Sequence, residues 1–562
     1  MKKFVVPALV GLLATVLPVS GFAPQVPTAV AAGVPNGASA YTPITPTRFA
    51  DTRTDMGSFG FDRLGPTTIR VQITGRFGVP AGATAVVLNI ASVAATGAGF
   101  VTAYPAGAPR PLAASLNVDQ AGRIVANLTT VRLSAGGAVE LYSNVAMDLV
   151  VDVAGTYAAV TGPVTAGRLV TFAGGAQRAY DSRTVGARLG PRQTKVVDLS
   201  VVGVPADAIA VAINLAAVDA NPGFWTAYPS GNTLPIASSL NLDTAGQTRN
   251  SQGIVQMSPG TDSISVYTYG GGDLVVDVVG WFTGSTGPSS TDGLFVSTTP
   301  TRVLDTRDTF TLAPWGDTTI EFASQPPAGM SVAAVAMNIA IAEPWYVGFV
   351  TAYPAGVTRP GTANLNITAF DQIISNHAIV RNGTRGIALY TQNGTHMIVD
   401  VAGWYLGTPE DSTLPTPTIP TYDPTWAVNI SAPTAPINVG VGYGPNIDAV
   451  INRGVAGLWT GLGGLGQPDQ NVFFAHRTSH GGPFRYLNNM PVGSTFTITG
   501  ANGVKFRYLV QRVDVIWPTA SILLDIIHHT PGFTATLVAC HPAGSTKYRL
   551  MVTGRLIGAS LT

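Results

Sequence analysis

The chain has 562 residues, enough for several domains, because single cores rarely grow past ~250–300 residues. Charged residues make up 11% against an average near ~25%, the formal net charge is +1, and no Lys/Arg stripe occurs, so the footprint of a nucleic-acid binder is missing. Hydrophobic residues reach 46%, while 64 Gly and 41 Pro stop short of low-complexity disorder; with frequent Val, Thr, Ile and Tyr this composition points to an all-β surface protein.

Lys2-Lys3 precede an apolar stretch from Phe4 to Ala23, and the small residues Val30-Ala31-Ala32 offer a cleavage site before Gly33. Basic, then apolar, then small is the form of a signal peptide, assigned to residues 1–32. The stretch also approaches the ~17–20 residues needed to span a bilayer, so an uncleaved membrane anchor is the other reading. Either way the folded part is expected outside the membrane, secreted or at the cell surface.

Three copies of one module follow, at residues 41–157, 167–283 and 294–407. Each opens on a related run: Pro46-Thr47-Arg48-Phe49-Ala50-Asp51-Thr52-Arg53, then the weaker Gln177-Arg178-Ala179-Tyr180-Asp181-Ser182-Arg183, then Pro300-Thr301-Arg302-Val303-Leu304-Asp305-Thr306-Arg307. A second signature, Gly99 to Pro105, returns at Gly223 and Gly348, offsets of 124 and 125 residues that suit a small domain and not a solenoid unit. Each copy closes on Val-Asp-Val, at Asp152, Asp277 and Asp400. Short β-type runs punctuated by Gly, Pro and Asn make each module an antiparallel β-sandwich, with a closed barrel as the alternative. A buried pair between strand Asp and loop Arg is the expected role of the recurring charges, ahead of a metal or glycan site. Tyr104, Tyr228 and Tyr353, each before Pro, are weighed as sugar-stacking platforms and as plain strand ends. The modules resemble a repeat found in secreted actinobacterial proteins with the same opening and close. That resemblance implies a cell-surface setting and no chemistry.

Residues 284–291 read as a flexible linker, and residues 408–425, with five prolines, as a semi-rigid spacer that few contacts cross. Beyond it, residues 426–562 are again mostly strand by pattern. This segment holds Cys540, the only cysteine of the chain, so an intramolecular disulfide is excluded. Arg549 follows it by nine positions, and His476 ends an apolar run upstream. A thiol, an imidazole and a guanidinium together can run acyl transfer through a thioester. His480 and His541 compete as the base. His528-His529 is a weak metal pair, because neighbours on a strand point to opposite faces.

Thr536-Leu537-Val538-Ala539-Cys540 resembles the TLxTC motif of the sortases, the cysteine transpeptidases of Gram-positive surfaces, with Ala539 in place of Thr. The spacing to Arg549 fits. The run Ala475-His476-Arg477-Thr478 with Gly482-Pro483-Phe484 resembles the family's GHRTxxGxPF stretch, Ala475 replacing Gly. The resemblance, closest in character to classes D, E and F, covers Trp426 to Thr562. It implies a closed sortase-type β-barrel with Cys540 as nucleophile, His476 as general acid and base, and Arg549 on the oxyanion. Thr536 and Leu537 would line the substrate site. The implied activity is cleavage of an LPxTG or LAxTG sorting signal, followed by transfer to an amine of the peptidoglycan or a pilin. No cofactor or metal is required. The three modules would bind or span the wall, with a cell-wall glycan as candidate ligand. The rival readings are a non-catalytic surface adhesin with a degenerate sortase domain, and a thiol hydrolase.

Overall fold

The computed structural model describes residues 34–562 except 55–59, 308–311, 323–325, 328, 345, 371, 414–425, 460–463, 466–469, 519–532 and 561–562. The signal segment, most of the Pro-rich spacer and His528-His529 lie outside the described residues. Regular structure is almost all β, as the composition requires.

Each module is a sandwich of two antiparallel sheets. In the first, the inner sheet orders Ala38–Asp51, Asp148–Ala159, Ala83–Val93 and Val125–Arg132. The outer sheet orders Phe61–Gly65, Thr68–Gln72, Ala138–Ser143, Gly99–Pro105 and Leu116–Val118. Val, Ile and Leu from the two sheets, including Val71, Leu88, Val101, Leu141 and Val151, interdigitate as the core. The closing glycines have a packing reason. A Cβ on Gly155 would collide with the ring of Tyr41, and one on Gly403 with the ring of Phe295.

The recurring charges form one network per module, and the partner of the strand aspartate is the arginine of the opening triplet, not the one after Asp51. Arg48 Nε donates to Asp152 at 2.9 Å, and its Nη1 to Asp51 at 3.2 Å. Arg53 folds back on Asp51 at 2.6 Å. The same arrangement joins Arg178, Asp181, Arg183 and Asp277, and Arg302, Asp305, Arg307 and Asp400. The hydrogen bond from Arg53 holds Asp51 below its ordinary pKa, whereas burial raises that of Asp152. Tyr104, Tyr228 and Tyr353 are buried, so none offers a face to a sugar.

The three modules close on one another in a cycle. Asn89, Asn214 and Asn338 sit opposite Asp152, Asp277 and Asp400 in equivalent register. Each donates to a carbonyl of the next module: Asn89 to Ser238 at 2.6 Å, Asn214 to Ala363 at 2.6 Å, and Asn338 back to Ala114 at 2.7 Å. Tyr41, Tyr157, Phe282, Phe295 and Tyr405 from all three modules share one aromatic core. Leu128, Gln252 and His377 hold the matching position on the strands where the modules meet. His377, 1% exposed, contacts Gln252 Oε1 through Nδ1 at 2.9 Å and Thr130 through Nε2 at 3.4 Å. Gln252 Oε1 also accepts from Ile379 N, so the histidine is the donor and carries its proton on Nδ1. Burial pushes its pKa down to about 3. The first strand of this head adjoins the third module: Ala38 pairs with Val296 on that module's opening strand and shares a small apolar cluster with Leu294 and with Leu406 of its closing strand.

The C-terminal domain is a closed barrel. Its strands are β1 (Ala427–Ala432), β2 (Ile437–Gly442), β3 (Ala456–Leu458), β4 (Gln470–Phe474), β5 (Thr495–Gly500), β6 (Lys505–Ile516), β7 (Thr534–His541) and β8 (Tyr548–Ser560). Around the barrel the order is β1-β2-β3-β4-β7-β8-β6-β5 and back to β1, with parallel pairs only at β2–β3 and β4–β7. A short helix, α1 (Ile447–Ile451), links β2 to β3. Phe473, Phe484, Phe496, Phe506 and Leu537 fill the interior; each large apolar side chain so buried stabilises by about 1.5–3 kcal/mol. The head and barrel touch. Strand Leu312–Ile320 of the third module pairs with β6 at Leu312 and Asp514, beyond the point where β5 ends. The boundary is therefore crossed by backbone pairing, which the Pro-rich spacer did not suggest.

Candidate active site

The register of three neighbouring strands brings the proposed residues into one row. Cys540 near the end of β7 lies directly opposite Arg549 on β8, so both side chains leave the same face. β4 runs parallel to β7 with Phe474 beside Val538, and Ala475 N continues the ladder by donating to Val538 O at 3.1 Å. β4 ends at Phe474, and the same register carried two residues past it would reach Cys540 at His476. Strand alternation does the sorting. Ala535, Leu537 and Ala539 point into the barrel core, while Thr536, Val538 and Cys540 point out. Val472, Val538, Met551 and Ile516 make an apolar floor on that outer face, with Trp459 and Phe474 packed against it.

This alternation corrects the substrate role expected of Leu537, which is wholly buried in the barrel interior, facing away from the thiol. Thr536 shares the face of Cys540 but is sealed too, accepting from Gln470 Nε2 at 2.7 Å and bonding Thr553 Oγ1 at 2.9 Å. Its work is to tie β4, β7 and β8 together.

Cys540 is a free, half-buried thiol. Arg549 donates through Nη1 to the carbonyls of Thr546, on the loop between β7 and β8, at 2.9 Å and of Tyr548, at the start of β8, at 3.2 Å. His476 meets Asn452 Oδ1 through Nε2 at 2.8 Å and stacks on His480 with ring centroids 4.6 Å apart. Burial lowers the pKa of His476, the neighbouring His480 lowers it further, and Asp448 opposes both. His480 adopts φ 51°, a left-handed conformation uncommon for a side chain of this kind.

Two residues outside the expected set join the site. Arg477, 5% exposed, donates to Cys540 O at 3.4 Å, to His541 Nδ1 at 3.0 Å and to Asn488 Oδ1 at 2.7 Å. It ties the histidine loop to the end of the nucleophile strand. Because guanidinium only donates, Nδ1 of His541 must be its lone-pair nitrogen. Burial and Arg477 also lower the pKa of His541. Its accepting nitrogen is thus already engaged, which weakens His541 as a rival base. Arg477 stood beside His476 in the sequence motif, yet nothing there distinguished it from a solvated loop arginine. Asn452 belongs to no motif. Among the described residues no group of three or more His, Cys, Asp or Glu could hold a metal ion.

Residues 430–557 match the family model described as the sortase domain. The C-terminal barrel is a sortase domain. Sortase SrtE1 of Streptomyces coelicolor is 27% identical over 139 residues, which are 22% of this chain and 38% of that protein. The chain therefore spans well under half the length of the curated relative it matches. Among solved structures, the barrel is similar to sortase E1 of S. coelicolor with a tripeptide in the active site, at 24% identity, covering 24% of this chain and 90% of that one with a TM-score of 0.21. It is also similar to sortase C-1 of Actinomyces oris, at 25% identity, covering 24% and 76% with a TM-score of 0.21.

Proposed function

We propose that the barrel is a cysteine transpeptidase acting on sorting signals of the LPxTG or LAxTG type. What supports this reading is Cys540 directly opposite Arg549 on neighbouring strands, with His476 two residues past the end of the adjoining strand β4. Cys540 gives its thiol proton to neutral His476 as Sγ attacks the carbonyl carbon of the scissile peptide bond, and the tetrahedral oxyanion forms. Arg549, turned from its backbone carbonyls toward the row, stabilises that oxyanion by charge and hydrogen bonding. Collapse breaks the C–N bond, and His476 delivers a proton to the departing amine, leaving a thioester. An incoming amine attacks the thioester, His476 takes its proton, and the new amide leaves with the thiol restored. Burial and the neighbouring His480 lower the pKa of His476, which favours the neutral form that receives a proton. The acceptor is an amine of the cell wall or a pilin. We place the site outside the membrane. Among the described residues no helix is long and apolar enough to cross a bilayer.

The test incubates the full chain with labelled LPxTG and LAxTG peptides and a primary amine, and identifies products by mass. Amide product with a Cys540 thioester trapped on the protein is the expected result. Acid product alone, with amine in excess, would make it a hydrolase. No turnover of any peptide and no thioester would favour the adhesin reading.

A further inference from the structure

The acid–base histidine has a partner that the row of three does not include. Asn452 follows α1 directly, and its backbone N–H is bonded to Asp448 O and Val450 O, so its own position is set by the helix. That helix is seated on the barrel: Val450 is buried, and side chains of α1 lie against the bare backbone of Gly442 and Gly457. Gly457 is in β3, which pairs with β4, the strand that leads to His476. The carboxamide and the imidazole are thus carried by adjacent parts of one scaffold, and they meet at 2.8 Å between Oδ1 and Nε2. The other contact of the ring is a face, stacked on His480 at 26°. One edge is held and one face is covered, which leaves the Nδ1 edge.

We propose that Asn452 is the positioning residue of His476: its Oδ1 accepts the Nε2 proton, fixes the ring plane, and reserves Nδ1 for exchanging protons with the thiol and the amine. The proposal rests on the transpeptidase reading for its catalytic meaning, although the hydrogen bond stands without it. The chemistry follows from what an acid–base imidazole must do. In the doubly protonated form both nitrogens donate, and the nitrogen away from the reaction needs an acceptor. A neutral carboxamide oxygen supplies one in both protonation states without fixing a charge beside the ring. Asp448 on α1 and His480 on the same loop are the titratable groups that act on this histidine, and Asn452 is the neutral contact beside them.

The experiment uses the full chain carrying Cys540→Ala, which uncouples the thiol, and follows His476 protonation by the ring carbon resonance that vanishes in His476→Ala. Asn452→Ala should move the titration midpoint of His476 to lower pH, because the protonated form loses its acceptor. Asn452→Asp, which keeps both the acceptor and the helix terminus, should move it to higher pH. With Cys540 restored, Asn452→Ala should lower kcat on peptide by about 10–100-fold at unchanged KM, a part of the ~10²–10⁴ carried by the base itself, and Asn452→Asp should recover most of it. A midpoint unmoved by Asn452→Ala overturns the proposal, as does an Asp variant as slow as the Ala variant. If the parent protein turns over no peptide, the functional reading fails while the titration still decides the role of Asn452. If Asn452→Ala does not fold, Asn452→Ser, without a carboxamide oxygen at that reach, takes its place with the same expected downward shift.

Discussion

In the head, Arg48, Asp51, Arg53 and Asp152 satisfy one another, and the same four-membered set recurs in the second and third modules. In the barrel, the row of His476, Cys540 and Arg549 has no such closure: among the described residues Arg549 bonds only through Nη1, to backbone carbonyls, and His476 leans on a neutral amide. Both regions are β-sheet lined with Val, Ile and Leu, and both place arginine beside an ionisable partner. Mutual satisfaction makes a rigid structural lock, because no donor is left to redirect. An unclosed row keeps donors and a lone pair available for a substrate. Arg477 shows both uses side by side, since its guanidinium, bonded through Nη1 and Nη2, ties the histidine loop to the end of the nucleophile strand.

The contrast breaks most completely at the nucleophile. Cys540→Ala should abolish peptide cleavage and thioester trapping and leave the circular dichroism spectrum unchanged; cleavage near the parent rate would remove the row from the chemistry. His476→Ala should cost ~10²–10⁴ in kcat/KM, and His480→Ala and His541→Ala much less. A dead His480 variant beside an active His476 variant would reassign the base. On the other side of the comparison, Asp400→Ala should leave peptide turnover unchanged while destabilising the head by about 3–5 kcal/mol, because Arg302 keeps a half-buried charge without its main partner. Asp400 also accepts from Ala114 N of the first module, so hydrogen exchange should rise in both modules together.

The smallest effect concerns His377, whose folded pKa of about 3 lies below the ~6.5 of an unfolded histidine. Between those values the unfolded chain binds the proton and the folded chain does not, so stability falls as pH drops. The head should lose about 1.4 kcal/mol per pH unit below roughly pH 6.5, and nothing from this group above it. His377→Gln, which borrows the residue of the second module, should flatten that slope in chemical denaturation series. An unchanged slope would assign the acid sensitivity to the carboxylates.

Much of the architecture could be read from residues that repeat. The Val-Asp-Val closes and the Gly-Phe-x-Thr-Ala-Tyr-Pro runs exposed three equivalent domains, and alternation in the C-terminal segment announced strands. The arginine that meets Asp152 was expected on a loop; the opening run is instead a strand, and its register sets Arg48 directly opposite the aspartate. The cycle of modules was hidden because Asn89, Asn214 and Asn338 sit inside apolar runs, and no local pattern tells that an asparagine there bonds the neighbouring domain. Cys540, His476 and Arg549 were legible as spaced chemical types. Leu537 was mistaken because a motif lists neighbours while a strand separates them by face. Asn452 lies 24 residues from His476, and only the closure of β3 on β4 brings them together.

The pairing of Ala38 with Val296, and the cluster they share with Leu406, has a consequence for how far apart the two ends of the head lie. Three domains of this size strung end to end would form a mast of roughly 100 Å. Instead the polypeptide leaves the head beside the point where it arrives. The head is a thick bead on the tether and contributes almost nothing to its length. A pull drawn between Ala38 and Leu406 would therefore load one short span and leave the three modules unstretched.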